Sequence, residues 1–375
     1  MSSKVFLRGI AVIFIVGLCG QSLLAASVAV GPSTCQPGLV HFATIQAAVS
    51  AVPFGATVLV CPGTYAEQVM ITQPLTLKGV TDGVSGAAII AVPAGGLVLN
   101  ANSPTDFGPV TGQLVIQNTV GVNVSNLTID GNGSNCVAGA NRESGIVVTS
   151  VGTANDGVLA AKLQNVVVRN QHGCGVGEGI ISDSSFVTIS GNQLHDVDRT
   201  AVVVSAGKAS VANNTIQATS LNGVALLAGN QTTVSGNNIS GVNQAGLLIQ
   251  GNTTGAIFSK NTIAGSSSTV GIWLAGVSSN STTGNRVSGA GWGVVLQFCG
   301  GNIVQTNVFN GLASDGIFDQ NSFGGNVVTK NTVNEAAFGI FTDSSVGGDT
   351  LVPNALFNDV VTVDPSPAVL GTPDM

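Results

Sequence analysis

Val187-Thr-Ile-Ser-Gly-Asn192, Val211-Ala-Asn-Asn214-Thr-Ile216 and Ile257-Phe-Ser-Lys-Asn261-Thr-Ile263 are three passes of one pattern. In each, an Asn is followed by a polar and then an aliphatic residue, after which a turn and a small residue lead into an apolar strand. The Asn positions are Asn170, Asn192, Asn214, Asn237, Asn261, Asn285, Asn307 and Asn331, with steps of 22, 22, 23, 24, 24, 22 and 24 residues. A second row keeps the same beat: Gly179, Ala201, Gly223, Gly246, Gly271, Gly293, Gly316 and Gly339. Two rows in phase mark a repeat in which every pass builds the same unit.

Residue type decides what that unit is. Helical repeats need long amphipathic runs of Ala, Leu, Glu and Lys, whereas these segments carry Val, Ile, Thr and Asn interrupted by Gly. A leucine-rich horseshoe is excluded because no Leu-x-x-Leu-x-Leu frame surrounds the Asn. What remains is a coil of parallel strands, one rung per repeat, with rungs about 4.8 Å apart. Equivalent Asn side chains then stack and hydrogen-bond along the axis.

These repeats resemble those of the right-handed parallel β-helix, or pectin lyase-like, superfamily. The run Phe42-Ala-Thr-Ile-Gln-Ala-Ala-Val49, followed by Cys61-Pro-Gly-Thr-Tyr-Ala-Glu67, is similar to the opening of pectinesterase-like members. The resemblance implies an all-β, single-stranded right-handed solenoid with a short N-terminal capping helix. It does not fix an activity, because this scaffold carries lyases, hydrolases, esterases, epimerases and proteins without catalysis.

Composition agrees with a packed solenoid. Charged residues are 8% of the chain and 44% are hydrophobic, spread over short strands. The expected division is a signal peptide over 1–29, a cap with an amphipathic helix over 30–57, the β-helix over 58–350 and a tail over 351–375. Lys4 and Arg8 precede the apolar run Ile10 to Leu18, and small residues follow at Ala25, Ala26 and Ala29, as in a secretory signal. Its removal leaves 9 basic against 18 acidic residues, a balance that disfavours nucleic acid and anionic membranes as partners. The expected location is secreted, periplasmic or at the cell surface, and the expected state is a monomer.

Export permits disulfides. Cys35 and Cys61 flank the cap helix, so a bond between them would pin the cap to the first rung. Cys136 and Cys174 form a candidate second bridge, and Cys299 is left as a buried thiol. The cap helix itself is expected from Phe42, Ile45, Val49 and Val52 on one side, ended by Pro53.

Charge concentrates between Arg142 and Arg199. In the repeat register Glu143 shares a row with Gly177 and Arg199, and Glu178 lies beside Ser144 and Thr200. Arg142, Glu143, Glu178, Asp198 and Arg199 are therefore expected at one turn, with His172, His195 and Asp196 at the preceding one. Glu143, Glu178, His195, Asp198 and Arg199 would supply an acid, a base and a charge stabiliser for glycosidic chemistry; an ordinary solvated ion-pair network is the competing reading. No complete motif of polygalacturonases, pectinesterases or alginate epimerases is present. Asp130-Gly-Asn132-Gly-Ser134 has the alternate oxygens of a calcium loop but one carboxylate, so it reads as a turn and no cofactor or metal is expected. Copper handling, found in some periplasmic β-helix proteins, would need clustered His, Met or Cys, and the chain has three His and three Met.

A last candidate is an outward row of Val203, Ala225, Leu248, Trp273, Val295, Phe318 and Phe341, flanked by Trp292 and Phe338. Trp273, Trp292, Phe318 and Phe341 could form a platform for sugar rings, or a surface buried beneath the C-terminal tail. The expectation from sequence is an exported β-helix that binds or processes an extracellular polysaccharide, with a non-catalytic glycan-binding module as the alternative.

Overall fold

The structure is a computed structural model, described here over residues 26–81, 87–150, 153–342, 348–351 and 353–357. The chain is a parallel β-helix. Successive strands fall in turn into three sheets, of thirteen, twelve and twelve strands, and each sheet pairs a strand with its counterpart one rung away. The rung Phe186–Ser190, Gln193–Val197 and Val202–Ser205 supplies one strand to the first, second and third sheets. Pairing is parallel throughout except where Ala101–Ser103 runs antiparallel to Gly108–Gln117. These features are those of the pectin lyase-like right-handed solenoid, the hand that parallel crossovers adopt.

The Asn row is a ladder inside the wall. From Asn192 to Asn331 each amide Nδ2 donates to Oδ1 of the Asn one rung on, at 2.9 to 3.0 Å, and the same Oδ1 accepts the backbone N–H of the preceding Asn. The ladder ends on Asn354. Asn170 is not part of it. The position below Asn192 is Val166, whose N–H donates to Asn192 Oδ1, while Asn170, at φ +55°, donates to Asp130. A second ladder, Asn280, Asn302, Asn326 and Asp349, runs along another turn.

The Gly row is steric. A Cβ on Gly246, Gly271, Gly293 or Gly316 would come within 2.8 Å of the next rung's backbone carbonyl and as close to an inward side chain at that corner. Only a residue with little or no side chain passes between the second and third sheets there.

The core is one column of Val, Ile, Leu and Phe from Val28 to Val333, each buried aliphatic contributing on the order of 1.5–3 kcal/mol. Its N-terminal end is closed by the helix Ile45–Ala51, with Thr44 as N-cap. Ile45, Val49 and Val52 are buried, while Phe42 belongs to the strand Val40–Phe42. Glu67 from the next rung accepts the N–H groups of Ile45 and Gln46 at 2.7 and 2.9 Å, satisfying two orphan donors of the first turn. The leader read over 1–29 lies mostly outside the described residues; Ser27 to Ala29 fall in the strand Ser27–Val30. Leu97 to Asn100 form a loop held by Gln68 and Asn135. At the other end Ala355–Phe357 pairs with Thr332–Asn334, so the tail begins as a further strand of the second sheet.

Cys35 and Cys61 are bonded, as are Cys136 and Cys174, and Cys299 is a buried free thiol. A ladder test follows. Asn261→Ala strips the partner from two donors of Asn237 and from the Val234 carbonyl, and should cost about 2–4 kcal/mol in denaturant unfolding. Asn238→Ala, one residue after the ladder Asn237 of the preceding repeat and exposed, should stay within about 0.5 kcal/mol.

Candidate functional site

The third sheet is buried on both faces. Inward residues such as Ile180, Val202, Leu247 and Val294 belong to the main core. Outward ones form two lateral clusters, Val147, Ile181 and Val203 with Phe107, and Leu248, Trp273, Val295, Phe318 and Phe341. Over the first cluster the segment from Ala101 to Gly108 lies as a strap. Ser103 and Thr105 donate hydroxyl hydrogen bonds to the buried Asp183, and Ser205 donates to Asp106.

Beside this strap sits Glu178. It is the second residue of the strand Gly177–Asp183, in register with Ser144, and is 1% exposed. Its Oε1 lies 3.2 Å from Arg142 Nε and 3.4 Å from Arg199 Nε, and Oε2 accepts the Thr200 N–H at 2.8 Å. Three successive rungs thus supply one carboxylate and two guanidinium groups. Burial pushes the Glu178 carboxyl up to about 7, against the opposing pull of the Thr200 N–H and the two arginines. Burial, with repulsion from Arg199, also lowers Arg142 from the usual guanidinium value. The Arg142 guanidinium stacks over Phe107 at 5.0 Å. It opens onto a groove of about 290 Å³ lined also by Asp106, Leu227 and Gln250.

The other expected members stand apart from this centre. Glu143, 3% exposed, accepts the Val137 N–H at 2.7 Å and packs against Gly173, where a Cβ would sit 2.7 Å from its Oε2; burial raises its carboxyl. Asp198 is taken by the Gly175 N–H and by His172 Nδ1, both at 3.0 Å. His195 faces Asp196 at 2.6 Å from a strand of the second sheet. The single five-residue cluster is therefore corrected to Glu178 with Arg142 and Arg199, a separate Glu143, a separate Asp198–His172 pair, and a remote His195. Asp198 is drawn away by the N–H of Gly175 in the turn Gly173–Gly175, and Glu143 by the N–H of Val137. The Cys136–Cys174 bond ties that turn to the loop carrying Val137.

Of the two readings of the aromatic row, burial is the one observed. Trp273, Phe318 and Phe341 do point away from the main core, but they are 4%, 3% and 5% exposed and pack together, Phe318 and Phe341 at 5.4 Å. They present no open face for a sugar. Trp292 and Phe338 are half-buried against them. The loop at Asp130 is likewise committed. Burial pulls the Asp130 carboxyl up, but Asn170, the Asn132 N–H and Arg169 outweigh it and hold it below the usual range.

Phe107, Asp106 and Asp183 were missed from the sequence. The signal for Asp106 and Phe107 was the break in the period before Gln113, where Ser103-Pro-Thr-Asp-Phe-Gly108 has the composition of an excursion from the rung.

Fold and site together define a pectin lyase-like β-helix with a buried, ion-paired carboxylate on its third sheet. The family described as periplasmic copper-binding protein (NosD) matches residues 125–313, half of the chain, and the chain belongs to that family. The pectinesterase likeness expected of the N-terminal run lies outside the matched segment and finds no support. No curated protein matches the chain in sequence. Among solved structures, the native lacto-N-biosidase of Eubacterium ramulus has a TM-score of 0.64 at 12% identity, covering 88% of this chain and 68% of that one. A variant of DFA-IIIase from Arthrobacter chlorophenolicus has a TM-score of 0.50 at 14% identity, covering 83% and 90%.

The donors of this chain do not fit the copper of the family description. Among the described residues no three His, Cys, Asp or Glu side chains converge. Four cysteines are closed in disulfides, and burial pushes the Cys299 thiol up to about 11, away from the thiolate that a soft metal needs. His41 is held between the carbonyls of Gly31 and Gln36.

Two measurements check the site. Folded Glu178 keeps its proton to about pH 7 but unfolded only to 4.5, so the native state binds more protons between those values. Stability then falls as pH rises through that window. Melting curves from pH 4.5 to 8 should show this slope in the wild type and a shallower one in Glu178→Gln, where the raised Glu143 carboxyl remains. Cys136→Ser combined with Cys174→Ser opens a 38-residue loop and should lower stability by about 2–4 kcal/mol in chemical unfolding.

Proposed function

We propose that the protein is exported and binds or processes an extracellular polysaccharide along the strap side of the third sheet, with Glu178, Arg142 and Arg199 as the contact centre. The observation that carries this reading is the Glu178 carboxylate, fully buried between two guanidinium groups and opening through Arg142 onto the groove beside Phe107. A carboxyl raised to about 7 can hold or release a proton at neutral pH. Arg142 on Phe107 offers a charged, planar donor beside an apolar floor, a combination suited to sugar hydroxyls and ring faces. That the scaffold serves a lacto-N-biosidase and DFA-IIIase accords with a sugar ligand. Export accords with the two disulfides and with the family's periplasmic description.

The non-catalytic form of this function is favoured by one feature. Glycoside hydrolysis uses two carboxyl groups across the scissile bond, and the neighbouring carboxylates Glu143 and Asp198 are engaged with backbone N–H groups at other points. Glu178 alone then binds rather than cleaves. The two forms separate in one assay: reducing-sugar and unsaturated-product release from a panel of polysaccharides, alongside affinity electrophoresis on the same panel. Retention should fall at least tenfold in Arg142→Ala, and Glu178→Gln should shift its pH dependence near 7. Product release abolished in Glu178→Gln would establish an enzyme; no retention on any polysaccharide would remove the proposal.

A further inference from the structure

A concavity with an exposed aromatic rim lies at the opposite end of the third-sheet strands, near the cap. Phe54 is 77% exposed. The turn from Pro53 to Ala56 is closed by Ala56 N–H to Pro53 O at 3.2 Å, and Gly55, at φ +78°, donates its N–H to Pro74 O at 2.7 Å. Only a residue without a Cβ adopts that φ at no strain, so the turn holds the ring of Phe54 out over the neighbouring rungs.

Between this ring and the next rungs is a concavity of about 560 Å³, whose other walls include Thr72, Pro74, Asn118, Val120 and Ser150. Among the described residues no charged side chain lines it. Its back wall is fixed: Ser150 Oγ accepts the Thr119 N–H, Ser150 N–H donates to Ser185 Oγ at 2.7 Å, and Thr153 Oγ1 donates to the Ser150 carbonyl at 2.7 Å. The Thr72 hydroxyl and the Asn118 carboxamide, both on exposed residues, make no hydrogen bond among the described residues.

We propose that this concavity is a binding site for a neutral sugar ring, distinct from the Glu178 centre and independent of what binds there. An anionic ligand would find no cation in the wall, and a cation no carboxylate. A wholly apolar ligand would strip water from Thr72 and Asn118 without replacing it. A neutral pyranose satisfies both halves of the wall. Its C–H face rests on Phe54 and Pro74, and its hydroxyls meet the Asn118 amide, which both donates and accepts, and the Thr72 hydroxyl. The volume is within the range of ligand pockets.

The test is saturation-transfer NMR and calorimetric titration of the purified protein with cellohexaose, mannohexaose and xylohexaose, with hexagalacturonate as the charged control. At least one neutral hexaose should bind saturably, about fivefold to tenfold more weakly in Phe54→Ala and more weakly in Asn118→Ala. The Phe54-dependent part of the binding should persist in Glu178→Gln, and Phe54→Ala should leave the melting temperature unchanged. The site is overturned if none of the three neutral hexaoses binds, if binding persists undiminished in Phe54→Ala, or if Glu178→Gln abolishes it. Equal or tighter Phe54-dependent binding of hexagalacturonate would overturn the neutral class.

Discussion

The side-chain amide of Asn, stacked in the wall at Asn192, Asn214, Asn237, Asn261, Asn285, Asn307 and Asn331, sets the height of every rung from the middle of the molecule to its C-terminal end. An Asn amide offers a donor pair and an acceptor in one plane. Here Nδ2 bridges the neighbouring Asn and a backbone carbonyl of the preceding turn, and Oδ1 takes two donors. Any shift of one residue would leave these groups buried and unpaired, at about 1–3 kcal/mol each. The register of all three sheets is thereby fixed, and with it the alignment of residues that are far apart in sequence.

Backbone pairing within the third sheet, on rungs of which the first two precede that ladder, brings Arg142, Glu178 and Arg199 together. In a chain with few charges, placing two guanidinium groups on one buried carboxylate is costly unless each is partnered. Glu178 meets the cost with the Thr200 N–H, and Arg142 with the face of Phe107. The strap that carries Phe107 is fastened several rungs away by Asp183 and Ser205. The site therefore depends on a segment outside the repeat as well as on the repeat itself.

Much of the fold was legible because it is periodic. The Asn and Gly rows each report one fixed environment, and both cap helix and disulfide partners follow from local pattern. Asn170 shows the limit: its spacing of 22 from Asn192 fits the beat, but the extra turn at Gly173–Gly175 offsets the rungs, and the true ladder neighbour is Val166. The ladder from Asn280 to Asp349 was as readable and was overlooked beneath the stronger row. Row position predicted that Glu178 and Arg199 meet. It could not predict that Asp198, one residue away from Arg199, would turn to Gly175 and His172, since turn direction has no period. Nor does alternation say whether an outward row is bare, and Trp273, Phe318 and Phe341 are covered. Family membership and site chemistry also diverge: the NosD description names copper, while the thiols and imidazoles of this chain are occupied or dispersed.

Hydrogen–deuterium exchange with and without the polysaccharide that the protein retains most strongly addresses the Glu178 centre most directly. Protection should gather on residues 103–108 and on the N-terminal ends of Arg142–Thr149 and Gly177–Asp183, where strap, arginines and Glu178 meet. Protection confined to the first or second sheet, with these segments unchanged, would contradict a ligand at that centre.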